Sequence, residues 1–207
     1  EKLNEIKQIE CPWEKEIEMA KFTKDVVKNI SKESVVQETN EESTKVQVKV
    51  EEQIRDILPK ESSKKIVKEM VTHVNTTRGC DNEEKILNKQ EEKTGKQISQ
   101  RNEKLYYITI SKDDKCKLFV CGKIDGVEGD TLIEAKNRRN RIFGLIPIYE
   151  KVQIELYLRM LNLEKAKVVE KYNDTIEEHH YESDDQFWKE IQEKLINFKN
   201  KFLKQLN

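Results

Sequence analysis

The order of helical and strand-like segments predicts a mixed α/β fold, with an α+β-like mixed sheet. Three observations support this prediction: short apolar stretches rich in β-forming residues, amphipathic helices on both sides of them, and turn residues between them. A strongly charged, helical segment comes before this pattern. The sequence therefore predicts a charged helical N-terminal extension at residues 1–65, either packed on the core or separate from it. A mixed-sheet domain is predicted at residues 66–207.

The bulk properties favour a soluble, intracellular protein. The chain has 207 residues, of which 38% are charged and 35% are hydrophobic, so one domain with an appendage and a modest core is expected. No stretch approaches the roughly 18 apolar residues of a membrane span, and no membrane association is predicted. The net charge is only −1, so any binding of nucleic acid must come from a local basic patch.

The N-terminal extension is predicted to be helical with an irregular join. Trp13 and Ile17 lie on one helical face, Ile54 precedes Pro59, and Ile66 and Met70 mark a helix beyond that proline. Residues 31–43 are rich in Glu, Ser, Thr and Asn without periodicity, which is typical of a loop. This extension either covers the core or binds a partner, and its sequence does not decide between the two.

Clear start and stop signals then define the elements of the second domain. Asp81 is predicted to cap a helix in a capping box with Glu84, and Gly95 is predicted to end it. Pro147 suits the first turn of a helix that runs to about residue 161, and Ser183 is predicted to cap a final amphipathic helix. The strands are expected at residues 105–110, 117–121, 132–135 and 166–172, with a further one at 179–182. The first three are expected to form an antiparallel meander through turns at residues 112–115 and 126–130.

The most informative residues follow the second of these strands. Asp125 lies where that strand ends, and Glu134 and Lys136 share one face of the next strand because they are two residues apart. The Ala135 side chain points the other way, which leaves its backbone carbonyl near the same place. Carboxylates and carbonyl oxygens are ligands for hard divalent ions such as Mg²⁺, which lower the pKa of a bound water and neutralise developing charge. The pattern therefore predicts a metal site for cutting phosphodiester bonds.

Four motifs in this order resemble the PD-(D/E)XK nuclease superfamily, which has a restriction-endonuclease-like core. They are Gly79-X-X-X-Glu83, Asp125, Glu134-X-Lys136 and Gln153-X-X-X-Tyr157. Within the superfamily they look like the branch of lambda-type exonucleases and YqaJ-like viral recombinases. The resemblance covers residues from about 75 to 200, so residues 66–207 are expected to form the nuclease domain.

The resemblance implies a role for each matching residue. It implies that Lys136 orients the attacking water, that Gln153 holds the active-site groups or DNA, and that Tyr157 contacts phosphate. Glu84 is the alternative to Glu83 as the carboxylate from the helix. The implied catalytic residues are Asp125, Glu134, Lys136 and Gln153, and the implied metal ligands are Glu83, Asp125, Glu134 and the Ala135 backbone carbonyl.

The implied cofactor is Mg²⁺, with Mn²⁺ expected to substitute for it. An iron–sulfur cluster of the kind that some relatives hold requires late cysteines, and no Cys follows Cys121. With three histidines in the chain, two of them adjacent, a zinc site is not expected either. The four cysteines are predicted to be reduced thiols.

A basic loop follows Lys136 directly. Arg138, Arg139 and Arg141 leave the strand beside the predicted metal site, which suits contact with the phosphate backbone; a solvated charged loop is the alternative. Residues 142–146 are apolar and form either a wall near DNA ends or part of the core.

The sequence as a whole predicts a Mg²⁺-dependent DNA exonuclease that acts on linear, preferably double-stranded ends in viral-type recombination, repair or replication. A viral source would place it in the host cytoplasm or nucleus, with a single-strand annealing or replication protein as partner and a homo-oligomer as a further expectation. The alternatives are a structure-specific or single-strand nuclease and a non-catalytic nucleic-acid-binding or assembly protein with the same fold. The Arg and Ser positions that grip a 5′ phosphate in lambda-type relatives have no match here, so the polarity of digestion is not implied.

Overall fold

The computed structural model describes residues 2–113 and 116–206. The second half of the chain contains six strands and two helices among the described residues, while the first half is helical. The helices are α1 Lys2–Lys7, α2 Pro12–Val35, α3 Asn40–Ile57, α4 Lys60–Thr94, α5 Ile148–Leu161 and α6 Asp185–Leu206. The strands are β1 Tyr106–Lys112, β2 Lys117–Gly122, β3 Gly126–Glu128, β4 Thr131–Asn137, β5 Lys165–Tyr172 and β6 Thr175–Glu182. The mixed α/β class predicted from the sequence is confirmed.

The chain forms two compact units, the first ending at Asp81 and the second beginning at Asn82. The sequence predicted this boundary after residue 65. The structure has no break there, because α4 runs continuously through that position. The predicted helix start at Asp81 is also wrong, since Asp81 lies inside α4 and is exposed. The predicted stop is confirmed: α4 ends at Thr94, and Gly95 follows with a φ of 68°, a conformation that suits glycine.

The first unit is a set of helices around a small apolar core. Its buried members are Val27, Ile54, Met70 and Val74. The predicted loop at residues 31–43 is largely wrong, because α2 continues to Val35 and α3 begins at Asn40. The serines that suggested a loop are buried and bonded: the Ser34 hydroxyl donates to the Ser43 carbonyl at 2.9 Å. Polar side chains satisfied between helices were thus indistinguishable, in the sequence, from solvated loop residues.

The second unit is built on a four-stranded sheet with the order β3-β4-β5-β6, in which β4 and β5 are parallel and the other neighbours antiparallel. The strands β1 and β2 form a separate antiparallel pair. The predicted antiparallel pairing of the first two strands is confirmed, but the predicted third strand, β4, does not continue that meander. It pairs with β5 and with the short β3, which lies in the segment 126–130 that the sequence predicted to be a turn. The predicted turn at 112–115 includes residues 114 and 115, which lie outside the described residues.

Alternation along β4 sends successive side chains to opposite faces of the sheet. Ile133 and Ala135 pack with Ile86 and Leu87 of α4, whereas Leu132 packs with Ile154 of α5. The two apolar clusters thus cover the two faces of the strand with different helices. Glu134 and Lys136 have the same parity as Leu132 and therefore face α5.

The last two helices begin close to their predicted positions. Pro147 is the N-cap of α5 rather than a residue of its first turn. At α6 the cap is Asp184 instead of the predicted Ser183, since the Asp184 carboxylate accepts from the backbone amides of Gln186 and Phe187 at 2.9 and 3.0 Å. No described helix combines the length and apolar character required to cross a membrane.

Candidate active site

Strand β4 places Glu134 and Lys136 side by side. The Lys136 Nζ donates a hydrogen bond to Glu134 Oε1 at 2.6 Å, and the Glu134 side chain is only 2% exposed. The Ala135 side chain between them is fully buried on the other face, as predicted. Burying a carboxylate costs free energy unless it is paired and hydrogen-bonded or holds a cation. Further polar groups are therefore expected around Glu134 and Lys136.

Asp125 is brought to the pair by the short connection between β2 and β3. It is buried, and its Oδ2 accepts a hydrogen bond from the Ala135 backbone amide at 2.8 Å. The bond fixes the Asp125 carboxylate against the middle of β4, between the positions of Glu134 and Lys136. The three residues predicted from the Asp and Glu-X-Lys spacing therefore lie together.

Helix α5 contributes Gln153 and Tyr157, which are four residues apart and so share a face. The Gln153 Nε2 donates to Glu134 Oε1 at 2.8 Å and to the Tyr157 hydroxyl at 3.3 Å. The Gln153 Oε1 accepts from Lys136 Nζ at 3.4 Å. Gln153 thus bonds to both members of the charged pair and connects them to Tyr157.

Helix α4 supplies a further carboxylate, and the structure distinguishes its two candidates. Glu83 is half-buried, and its pKa is raised by burial first and by the negative charge of Asp125 second, with Lys136 acting in the opposite direction. Glu84 is exposed. Glu83 is therefore the acidic residue of α4 that interacts with this cluster.

The cluster concentrates negative charge in a place with little water. Burial, followed by repulsion from Asp125, raises the pKa of Glu134 to about 8, although Lys136 favours the charged form. Burial also raises the pKa of Asp125 against the opposing effects of the Ala135 amide and Lys136. The Glu134 Oε2 is buried and has no hydrogen-bond partner among the described residues. One lysine therefore does not compensate for the three acidic groups.

These properties fit a divalent metal ion held by oxygen ligands. A cation near Asp125 and Glu134 would favour their charged forms, and Mg²⁺ needs only one or two carboxylates because it keeps several waters. Within the described residues, no three Asp, Glu, His or Cys side chains already surround one point. The fit therefore rests on the buried Asp125 and Glu134 carboxylates and the unpartnered Oε2.

Arg138 does not belong to a substrate-binding surface, which corrects the prediction for this residue. It is 8% exposed, and its guanidinium bonds both oxygens of Glu150 at 2.5 and 2.8 Å as well as Glu170. It also lies over the ring of Phe143. Arg138 is thus held inside the protein by acidic residues of α5 and β5.

The rest of the basic loop faces solvent. Arg139 and Arg141 are exposed and can reach a ligand, so their predicted contact with phosphate stays a prediction. In the apolar stretch that follows, Ile146 is buried whereas Leu145 is exposed, so this stretch is divided between core and surface.

Sequence reasoning missed a group of residues that lies directly beside Gln153 and Tyr157. They form a cavity of about 220 Å³ together with those two side chains. The sequence contained a signal for this group, because its residues on α5 recur at helical spacing on either side of Gln153: Tyr149, Val152, Leu156 and Met160. The missed residues are Val120, Cys121, Tyr149, Val152, Leu156 and Met160.

Comparison of the sequence finds no match among known family models or among curated proteins. Comparison of the structure does find similar solved structures. The alkaline exonuclease LHK-Exo from Laribacter hongkongensis is 16% identical over 75% of this chain and 87% of its own, with a TM-score of 0.50. A phage-related exonuclease from Haemophilus somnus 129PT is 13% identical over 64% and 73% of the two chains, with a TM-score of 0.45.

The similarity to LHK-Exo is one of fold, since the sequence identity is low. It extends over most of both chains. The chain therefore has a mixed α/β fold similar to that of LHK-Exo.

Proposed function

We propose that the protein is a metal-dependent nuclease that hydrolyses phosphodiester bonds. The observation that carries the proposal is the bonded set Glu134, Lys136 and Gln153, which lies beside the buried carboxylate of Asp125. Residues from a connecting segment, a strand and a helix meet there, in the arrangement that the motif spacing predicted. The exonuclease-like fold supports the same conclusion.

Asp125 and Glu134 would hold Mg²⁺ or Mn²⁺, with Glu83 and the Ala135 carbonyl as further oxygen ligands. The ion would supply a lowered pKa for a bound water and neutralisation of charge at the phosphate. The protein's own residues position the reactants. Desolvation lowers the pKa of Lys136, but the charge of Glu134 and its hydrogen bond to Lys136 together outweigh this effect and raise that pKa. The Lys136 ammonium therefore remains a hydrogen-bond donor for the phosphate or the attacking water.

Gln153 and Tyr157 set the geometry around that lysine. By bonding Glu134 and Lys136 at once, the Gln153 amide restricts the rotamers of both side chains. The Tyr157 hydroxyl, which accepts a hydrogen bond from Gln153, would contact a phosphate oxygen. Burial is the largest cause of the raised pKa of Tyr157, so the phenol stays neutral and can donate a hydrogen bond.

The proposed substrate is linear DNA with double-stranded ends, degraded in recombination, repair or replication of a viral type. The solved exonuclease of similar fold supports the exonuclease assignment, and the exposed Arg139 and Arg141 supply positive charge for a phosphate backbone. A replication or annealing protein as partner and a homo-oligomer are further parts of the proposal.

The test is cleavage of linear duplex, closed circular duplex and single-stranded DNA with Mg²⁺, in parallel with EDTA and with Lys136→Ala. Digestion of linear but not closed circular DNA, lost in EDTA and in the variant, is the expected result. Cleavage of circles would indicate an endonuclease. Binding without cleavage of any substrate would replace the proposal with a non-catalytic nucleic-acid-binding protein.

A further inference from the structure

A small cavity, which we call the α5 pocket, lies between β2 and α5 next to the candidate active site. Its volume is about 220 Å³, smaller than the roughly 300–1,000 Å³ of sites for drug-sized ligands. Two of its residues, Gln153 and Tyr157, also belong to the hydrogen-bonded set around Glu134. The full lining is Val120, Cys121, Tyr149, Val152, Gln153, Leu156, Tyr157 and Met160.

None of the described residues that line the α5 pocket is charged, in a chain that is 38% charged. Its walls are aliphatic side chains, two tyrosine rings, a thioether and a thiol, with the Gln153 amide as the polar group nearest the active site. The neighbouring cluster of Asp125, Glu134 and Lys136 has the opposite character. A ligand that occupies both places must therefore have a charged part beside an uncharged part.

Two aromatic side chains, Tyr157 and Tyr149, line the pocket. A Cβ atom at Gly122 would lie 2.6 Å from Tyr157 Cε1, so the absence of a side chain there lets the Tyr157 ring pack against β2 and form a wall. Tyr149 is 62% exposed and supplies a second aromatic ring at the opening. Aromatic rings and a polarisable Met sulfur are favourable surfaces for a π-system.

We propose that the α5 pocket binds one nucleobase of the substrate, at the nucleotide whose phosphate lies at Lys136. The inference rests on the proposed nuclease function and adds a base subsite to it. A nucleotide has the required form, an anionic phosphate joined to an uncharged planar ring. Stacking on an aromatic side chain depends little on which base is bound, because every base has a π-face. The subsite therefore favours an unpaired nucleotide without selecting one base.

The experiment separates binding from cleavage. Without divalent metal and with EDTA present, the affinity of the protein is measured by fluorescence anisotropy for a short oligothymidylate and for an abasic tetrahydrofuran oligomer with the same number of phosphates. We expect the base-bearing oligomer to bind about tenfold tighter, within the range of about 5- to 150-fold per stacked base. Tyr149→Ala should remove most of that preference.

Tyr107→Ala is the matched control. Tyr107 is 67% exposed, lies on β1 and does not line the pocket, so its removal should leave the preference for bases unchanged. Circular dichroism checks that both variants fold, since both tyrosines are largely exposed. Equal affinity of the wild type for the two oligomers, or equal losses in the two variants, would overturn the base subsite.

A cleavage assay with Mg²⁺ on the same proteins distinguishes failure of the subsite from failure of the proposed function. Cleavage combined with base-independent binding would retain the nuclease and remove the subsite. Base-dependent binding that Tyr149→Ala abolishes, without cleavage, would retain the subsite and remove the nuclease.

Discussion

Two buried charged clusters start from neighbouring positions on and after β4 and differ in how completely their carboxylate oxygens are hydrogen-bonded. Around Lys136, Glu134 keeps an oxygen without a hydrogen-bond partner among the described residues. Around Arg138, all four carboxylate oxygens of Glu150 and Glu170 accept hydrogen bonds, three from the guanidinium and one from the Phe143 backbone amide. Lys136 and Arg138 are two residues apart, and the sequence alone predicted that both belong to the functional site.

The difference lies in what each cluster can still bind. A cluster whose carboxylate oxygens are all hydrogen-bonded has little to gain from a further cation, whereas a buried carboxylate oxygen without a partner favours one. Burial first and repulsion from Asp125 second raise the pKa of Glu134, which is the electrostatic sign of that environment. Arg138, in contrast, has a raised pKa because its bonds to Glu150 and Glu170 outweigh the effect of burial, so it stays charged and bonded.

The largest expected effect is on cleavage. Lys136→Ala should lower kcat by about 10³-fold or more, since loss of one positioned donor in an active site costs about 10²–10³-fold and the variant also leaves Glu134 uncompensated. Asp125→Ala should abolish cleavage as well, with DNA affinity retained in both variants. Exposed Lys117 provides the control, Lys117→Ala. Near-wild-type cleavage by Lys136→Ala would place the chemistry elsewhere.

The next effect is on stability, and it belongs to the other cluster. Arg138→Ala should lower the free energy of unfolding by about 3–5 kcal/mol, because it leaves Glu150 and Glu170 as buried, unpaired charges. Its exposed neighbour serves as the control: Arg139→Ala should change stability by about 0.5 kcal/mol or less. Urea denaturation measures both. Equal stability of the two variants would show that the Arg138 cluster is not structural.

A pH dependence should distinguish the clusters further. The folded-state pKa of Glu134 is about 8, above its ordinary value of 4.5, so between these values the folded protein holds a proton that the unfolded chain releases. The metal-free protein should therefore lose stability as the pH rises through this window, by up to about 1.4 kcal/mol per pH unit. Glu134→Gln should flatten the dependence in urea denaturation with EDTA. A slope unchanged in Glu134→Gln would assign the effect to other groups.

The smallest expected effect concerns the exposed arginines next to the Arg138 cluster. Replacing Arg139 and Arg141 by Ser should weaken DNA binding regardless of sequence and reduce the slope of log affinity against log salt by about two, one for each lost phosphate contact. Lys189→Ser with Lys194→Ser, two exposed positions on α6, is the control. If the two double variants have the same slope, the loop is merely solvated.

The sequence predicted which residues of the candidate site lie together because the relevant signals are local. Glu134 and Lys136 share a face through the period of a strand, and Gln153 and Tyr157 share one through the period of a helix. Both relationships hold whatever the rest of the fold does. Motif order then predicted that the two elements would meet, which the bonds from Gln153 confirm.

Other features depended on residues far apart in the chain and were missed or misassigned. Nothing in the sequence indicated that Glu150 and Glu170 would bond Arg138, so that arginine was grouped with its exposed neighbours. The parallel pairing of β4 with β5 joins strands on either side of α5, and no local signal predicts it. Residues 31–43 looked like a loop because Ser34 of α2 finds its partner, Ser43, on α3.

By itself, the sequence determined which side chains share a face and which elements carry them, because backbone periodicity fixes side-chain direction over a few residues. Only the tertiary structure decided which carboxylate oxygens find hydrogen-bond partners. That outcome depends on the distance to donors on other strands and helices and on the exclusion of water, and both arise only when those elements pack. That is why Lys136 and Arg138, so close in the chain, lie in two such different environments.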